Sequence, residues 1–261
     1  MKISIPCIAF ICFVTQIAFA QIKVTDISEN GLKGKVKKVI EYTYRGGENL
    51  DTLGTPEKRI RNFDEKGNQI DEVIYDKSGN LMTKFVFEYP KDKTIIKNQY
   101  DANNKLQCKY TFKYDPRGNE IEFDTYANNP SIKTDAKMVF VYDANQNRIE
   151  EDSYIDGSHQ TERAIFFYNE KNQKIEEDRA LFFTQAIKNE KIIFSYDDLG
   201  NQIKSETFDS NDKLTGSTEI SYSQNDLNGN WLVRTLELKG HSKMQGNYIF
   251  KDITKRYILY F

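Results

Sequence analysis

Histidine occurs twice, tryptophan once and cysteine three times in 261 residues. His159 and His241 stand in no metal-ligand spacing and in no nucleophile motif, and both read as turn residues. Two cysteines, Cys7 and Cys12, fall within an expected leader, so Cys108 remains alone and no intrachain disulfide can form. It lies in an expected strand with no evident base beside it, and reads as a buried structural thiol. Basic residues do not exceed acidic ones, 37 against 39. That balance is no electrostatic footprint for nucleic acid, which requires a clustered basic face. No segment repeats apolar residues at i, i+3, i+4, i+7 over a useful length, so helices are not expected.

The one long apolar run is at the start. Lys2 precedes an apolar stretch from Ile3 to Ile17 and then Ala18-Phe19-Ala20, the small-x-small pattern that signal peptidase reads. Residues 1–20 are therefore expected to be a signal peptide cleaved before Gln21, giving an exported protein of the periplasm, outer-membrane surface or extracellular space. Pro6 and Gln16 interrupt the run and a polar chain follows, which argues against a membrane anchor. No transmembrane segment is expected after cleavage. Neither Cys7 nor Cys12 follows the small-residue run of a lipoprotein.

Aromatic residues, by contrast, make up 13 % of the chain, with 16 Tyr and 17 Phe, beside 29 % charged residues. That combination suits many half-exposed strands with rings on one face. The rings recur with a turn attached: Phe63-Asp64-Glu65-Lys66-Gly67-Asn68, then Tyr75 to Asn80, Tyr114 to Asn119, Tyr142 to Asn147 and Tyr196 to Asn201. Asp bonds its own backbone two residues on, and the fifth position tolerates positive φ, so each is a hairpin signal. Phe63, Tyr89, Tyr114, Tyr142, Tyr168, Tyr196 and Tyr222 follow one another at 25 to 28 residues. A second series, from Tyr75 to Phe208, falls between them. About seven two-strand units of about 26 residues explain both series.

Strands such as Tyr110-x-Phe112-x-Tyr114 and Met138-x-Phe140-x-Tyr142 alternate strongly and read as half-buried antiparallel strands. The strands leaving those turns are polar, as in Arg148 to Tyr154. The fold class expected is all-β: a long antiparallel meander of hairpin repeats, twisted and coiled, with the aromatic face inward, because open sheets beyond about ten strands curl. An N-terminal strand and loop take residues 21–56, with the strand at Val36 to Tyr44, and the repeat domain takes 57–261.

The Tyr-Asp-x-x-Gly-Asn turns resemble those of bacterial RHS or YD-repeat proteins from about Phe63 to Trp231. The entry Gly31-Leu32-Lys33-Gly34-Lys35-Val36 and the ending Gly229-Asn230-Trp231 with Lys255-Arg256-Tyr257 are similar to exported YD-like proteins of Bacteroidetes type. The resemblance implies coiled β-sheets used as shells around toxins or as surface carbohydrate-binding and adhesive structures. This sequence is short and contains neither a toxin domain nor a recognisable self-cleaving core segment.

No catalytic residues, metal ligands or cofactor are assigned. The Asp-x-x-Gly-Asn turns lack the close carboxylates and distal Glu of a calcium loop, and turn geometry accounts for them. Trp231 is the one candidate binding residue, able to stack on a sugar or partner aromatic, though closing the end of the repeat core suits it as well. The acid clusters Glu150-Glu151-Asp152 and Glu176-Glu177-Asp178 read as a solvated or cross-strand-paired face. The function expected is a non-catalytic binding or structural module at the cell envelope, with an unknown envelope protein or glycan as partner and no nucleic acid. An outer-membrane barrel, suggested by Tyr257 to Phe261, and an enzyme with an unrecognised site are the alternatives.

The spacing also predicts a register. If each main turn pairs its aromatic with the residue five later, Phe87, Phe112, Phe140, Phe166 and Phe194 face Ile96, Ile121, Ile149, Ile175 and Ile203. The opposite face then brings Lys109, Lys137, Arg163 and Lys191 to Asp124, Asp152, Asp178 and Glu206. Slipping by one residue would put charges among the rings.

Overall fold

The computed structural model describes residues 31–46, 54–90, 93–127, 136–183, 186–242 and 246–261; the expected signal peptide lies outside them. Sixteen antiparallel strands follow one another with no helix among the described residues. They are β1 (Val36–Gly46), β2 (Glu57–Phe63), β3 (Gln69–Tyr75), β4 (Leu81–Glu88), β5 (Thr94–Asp101), β6 (Leu106–Tyr114), β7 (Glu120–Ala127) and β8 (Ala136–Tyr142). The series continues as β9 (Arg148–Ile155), β10 (His159–Tyr168), β11 (Lys174–Phe183), β12 (Ala186–Tyr196), β13 (Gln202–Asp209), β14 (Leu214–Asn225), β15 (Trp231–Ser242) and β16 (Gly246–Tyr260). Each pairs with its sequence neighbours, and β1 pairs with β16, so the expected coiled meander is a closed barrel. β1 is a stave of that same barrel.

The turns work as their residues dictate. In Asp64 to Asn68 the Gly67 amide donates to Asp64 O at 3.0 Å, and the Asp64 amide to Asn68 O at 2.9 Å. Asp64 Oδ1 accepts from the amides of Lys66 and Asn68, each at 2.9 Å, while Oδ2 accepts from Asn68 Nδ2. The same set recurs at Asp115, Asp143, Asp197 and Asp226. Both carboxylate oxygens are thereby engaged within the turn. The fifth position takes φ of 85° at Gly67 and 89° at Gly118, and 67° at Gln146, which is not a glycine.

The predicted register is overturned. Phe112 faces Phe123, Phe140 faces Glu151, Phe166 faces Glu177, Phe194 faces Ser205 and Phe87 faces Lys97. Likewise Lys109, Lys137, Arg163 and Lys191 stand across those hairpins from Tyr126, Tyr154, Ala180 and Phe208. There are two reasons. The Asp amide to Asn carbonyl bond makes each aromatic pair with the sixth residue on, as Tyr114 with Glu120, and a bulge then absorbs the next residue, Ile121. In four of the five hairpins the slip is two residues, so each predicted face is kept. In the β4–β5 hairpin the slip is one, which turns Lys97 inward and Ile96 outward. A charge ladder does exist, across the other hairpins: Lys137 faces Asp124, Arg163 faces Asp152 and Lys191 faces Asp178.

Val39, Phe63, Phe140, Ala164 and Phe166 are buried on the inward face, as the aromatic-inward arrangement requires. So, however, are Glu41, Arg61, Glu72 and Glu177, and the acid-rich strands are not wholly the outer face. Glu150 and Asp152 point outward to Arg163, whereas Glu151 points inward to Arg148. Sixteen strands enclose a ring too wide for side chains from opposite walls to meet, so inward charges can stay hydrated and paired.

The densest apolar packing is at the seam. Leu32, Val36, Val39 and Phe63 form a buried cluster against Ile258 and Tyr260. Asn230, 2 % exposed, locks it: Oδ1 accepts from the Lys33 amide at 2.7 Å, and Nδ2 donates to Lys33 O at 2.9 Å and to Tyr260 Oη at 2.8 Å. The Tyr260 hydroxyl donates to Asp226 Oδ2, and the Phe261 amide donates to Lys35 O. The two ends of the described chain are thus held by one buried side chain.

Candidate functional site

The repeat tyrosines hold the rim. Tyr89, Tyr168, Tyr196 and Tyr222 donate their hydroxyls to the carbonyls of Gln69, Arg148, Lys174 and Gln202 on the preceding strand. Each acceptor is the residue just before a bulge. This tie fixes the direction in which the first residue of each polar strand emerges, and in two units that residue is a cation directed into the lumen.

Between β9, β10 and β11 those cations line a pocket of about 440 Å³. The Arg148 guanidinium lies 3.9 Å over the Phe140 ring, with NH1 3.1 Å from Glu151 and NH2 3.4 Å from Glu120. Lys174 Nζ lies 4.8 Å from the Phe166 ring centre and 4.5 Å from that of Phe194, and 2.8 Å from Glu177. Arg179 bridges Glu177 and Glu162, the latter at 2.9 Å. Each cation is held between rings or carboxylates, an arrangement that restricts its rotamers before anything binds.

The carboxylates of this wall divide by environment. Burial pushes Glu177 upward, but Lys174 and Arg179 outweigh it and hold the group below the usual carboxylate range. Burial raises Glu162, reinforced by Glu151, Glu177 and Glu190, and opposed by Arg179. Burial also raises Glu120, against the pull of Arg148. Ser153 Oγ on β9 is buried without a hydrogen-bond partner. Rings, donors, acceptors and one unsatisfied hydroxyl therefore share one wall, and they suit recognition of a polar ligand with apolar faces.

A second wall carries Lys97. Its ammonium lies 4.0 Å from the Phe85 ring centre, with the Phe87 and Tyr110 rings beyond, and burial lowers its pKa. Tyr110 stacks on Phe123 at 5.9 Å and donates to Gln99 Oε1 at 2.6 Å. Burial and then Cys108 push its phenol up to about 12. Cys108 is half-buried beside it.

Trp231, the residue singled out in the sequence, sits inside the barrel near the seam. The Arg256 guanidinium lies 3.4 Å from its ring centre, Arg234 5.1 Å and the Tyr222 ring 5.9 Å. Arg256 in turn reaches Glu41 at 2.7 Å, which Arg61 also contacts at 2.9 Å. One face of Trp231 is therefore already covered. His159 is exposed at the start of β10, and His241 lies near the end of β15. Sequence reading missed Arg148 and Lys174, although a signal was present: Gln69, Glu120, Arg148, Lys174 and Gln202 all occupy the same repeat position just before the Ile.

No protein-family model matches this sequence, and no curated protein does. Among solved structures, a porin-like protein from Bacteroides uniformis ATCC 8492 aligns with a TM-score of 0.57 at 8 % identity, covering 87 % of this chain and 99 % of that one. At that identity the likeness shows the barrel fold alone. The Photorhabdus luminescens Tc holotoxin pore aligns over 76 % of this chain at 15 % identity with a TM-score of 0.30, and the matched part is 14 % of that chain. A LolA superfamily protein, NE2245 from Nitrosomonas europaea, covers 86 % of this chain and 84 % of its own at 9 % identity, also with a TM-score of 0.30. Scores that low carry no argument.

Proposed function

We propose that the protein is an exported, non-catalytic β-barrel acting at the cell envelope by binding, and that a hydroxyl-rich glycan or a polar polypeptide segment enters its lumen. The observation that carries this reading is the 440 Å³ pocket in which Arg148, Lys174 and Arg179 are pre-positioned beside Phe166 and Tyr168. Ring faces with fixed donors and acceptors are the usual means of orienting a polar ligand. Its cations are neutralised by paired carboxylates, which favours a ligand of little net charge. Catalysis is not part of the proposal, since no Ser, Thr, Cys or His among the described residues lines the pocket and the Lys174 amine is held in an ion pair with Glu177.

The outer-membrane alternative meets a specific obstacle. Every strand of such a barrel needs a lipid-facing apolar row. Here the outer row carries Lys113 and Lys137 on Glu122, and Arg163 on Glu150. Along these strands the outer face is suited to water and not to a lipid interior.

The test is an oligosaccharide array and a pull-down from envelope extracts with the purified protein, repeated with Arg179→Ala. Binding weakened about tenfold or more by that substitution is expected. Turnover of any compound, abolished by a single substitution in the pocket, would replace binding with catalysis.

A further inference from the structure

Opposite signs of charge are interleaved over most of the outer wall, but not where the barrel closes. On β1, β2 and β16 the three acids Glu41, Glu57 and Asp252 belong to the inward face, in ion pairs with Arg256, Arg45 and Arg61. The outward positions and the segment entering β1 carry Lys33, Lys35, Lys37, Lys38, Lys58 and Lys255. None of these six pairs with a carboxylate among the described residues. In a chain of net charge −2 this is a local basic surface.

Between those lysines the same wall is apolar and aromatic. Tyr42 stands between Lys58 and Lys255, and Ile40 between Ile60 and Tyr257. Tyr42 and Tyr257 meet edge to face at 5.8 Å. Lys58 lies 5.9 Å from the Tyr42 ring and 5.6 Å from that of Tyr75, and Lys255 lies 5.4 Å from that of Tyr44. Tyr257 is 58 % exposed and Leu259 53 %, so these side chains project from the wall. Ile40, Tyr42, Tyr44, Pro56 and Tyr257 also line a shallow groove of about 470 Å³.

We infer that this seam wall docks on an anionic lipid surface, with Tyr257 and Leu259 entering the headgroup region and the unpaired lysines on lipid phosphates. Projecting apolar tips ringed by lysines are what peripheral attachment uses, and tyrosine suits a boundary that is apolar on one side and wet on the other. An acidic glycan fits less well, because sugar hydroxyls need acceptors as well as donors, and the outward faces of these strands carry no carboxylate. The inference concerns the outer wall and does not depend on what enters the lumen.

Co-sedimentation of the purified protein with vesicles of phosphatidylcholine containing about 30 % phosphatidylglycerol tests it. Partition at least about tenfold above that on phosphatidylcholine alone is expected, falling in 0.5 M salt. Lys37→Glu/Lys38→Glu should reduce it about tenfold or more, as should Lys58→Glu/Lys255→Glu if the first pair fails to fold, with Trp231 fluorescence reporting the fold. Tyr257→Ser/Leu259→Ser should weaken it without changing the charge. Lys137→Glu/Lys204→Glu, the same charge change elsewhere on the barrel, should leave it intact. Equal partition on both vesicles, equal loss in the control variant, or retention of tetragalacturonate with no vesicle binding would overturn the assignment.

Discussion

Arg256 lies across Trp231, its guanidinium carbon 3.4 Å from the ring centre, while its Nε donates to Glu41 at 2.7 Å. Glu41 is 8 % exposed and also holds Arg61, so two buried guanidinium groups share one carboxylate. Burial alone would raise its pKa, and the two arginines overcome that and lower it. Glu41→Gln removes the negative charge that Arg256 and Arg61 share. The expected loss is about 3 to 5 kcal/mol, measured by urea unfolding with Trp231 fluorescence.

Asn230 joins the entry segment, the last main turn and β16. Asn230→Ala leaves the Lys33 amide and carbonyl without their partners at a buried position. A loss of about 2 kcal/mol is expected. Hydrogen exchange should accelerate first in β1 and β16, and uniform acceleration around the barrel would contradict the role assigned to this residue.

Gln146 holds φ of 67° where the turns at Asp64, Asp115 and Asp197 place glycine. A side chain there costs about 1 to 2 kcal/mol, partly offset because glycine gains more freedom in the unfolded chain. Gln146→Gly should therefore stabilise by up to about 1 kcal/mol, and Gly118→Gln should destabilise by a similar amount. Denaturant midpoints of the two variants moving in opposite directions would bear this out.

Acid should affect the barrel in two opposing ways. Turn hydrogen bonds hold Asp76, Asp143 and Asp197 below the usual value of 3.8, so their contribution is complete above 3.8 and is lost as pH falls through their lower folded values. Glu162 and Glu120 are raised by burial. Stability contributed through them increases as pH falls through their folded values toward 4.5. Maximum stability on the acid side of neutrality is expected, followed by a fall below about pH 4. The turn at Asn169 makes the two backbone bonds without charge, its Oδ1 accepting from the amides of Lys171 and Gln173, and its Nδ2 donates to Gln173 Oε1, the reverse of the Asn-to-Asp side-chain bond. Asp115→Asn/Asn119→Gln, which copies it, should make the fall below pH 4 shallower in a series of melting curves.

The local layers of this fold were written in the sequence. Alternation in Tyr110 to Tyr114 set which side chains share a face, and Asp115 to Asn119 set where the strand reverses, because both depend on neighbours within a few residues. The inward direction of Phe140 and Phe166 followed from the same alternation. The slip that places Phe112 against Phe123 did not, since the bulge at Ile121 forms only when a partner strand is present to be opposed. Closure was likewise invisible: Asn230 and Lys33 are 197 residues apart, and no periodicity records that they meet. Closure also gave the inward charges their setting. Glu151 and Glu177 looked like a wet outer face because a filled core could not hold them, whereas a ring of sixteen strands leaves space in which Arg148, Lys174 and Arg179 pair with them. The composition of the lumen was thus decided by the width of the barrel, a property of all the strands together.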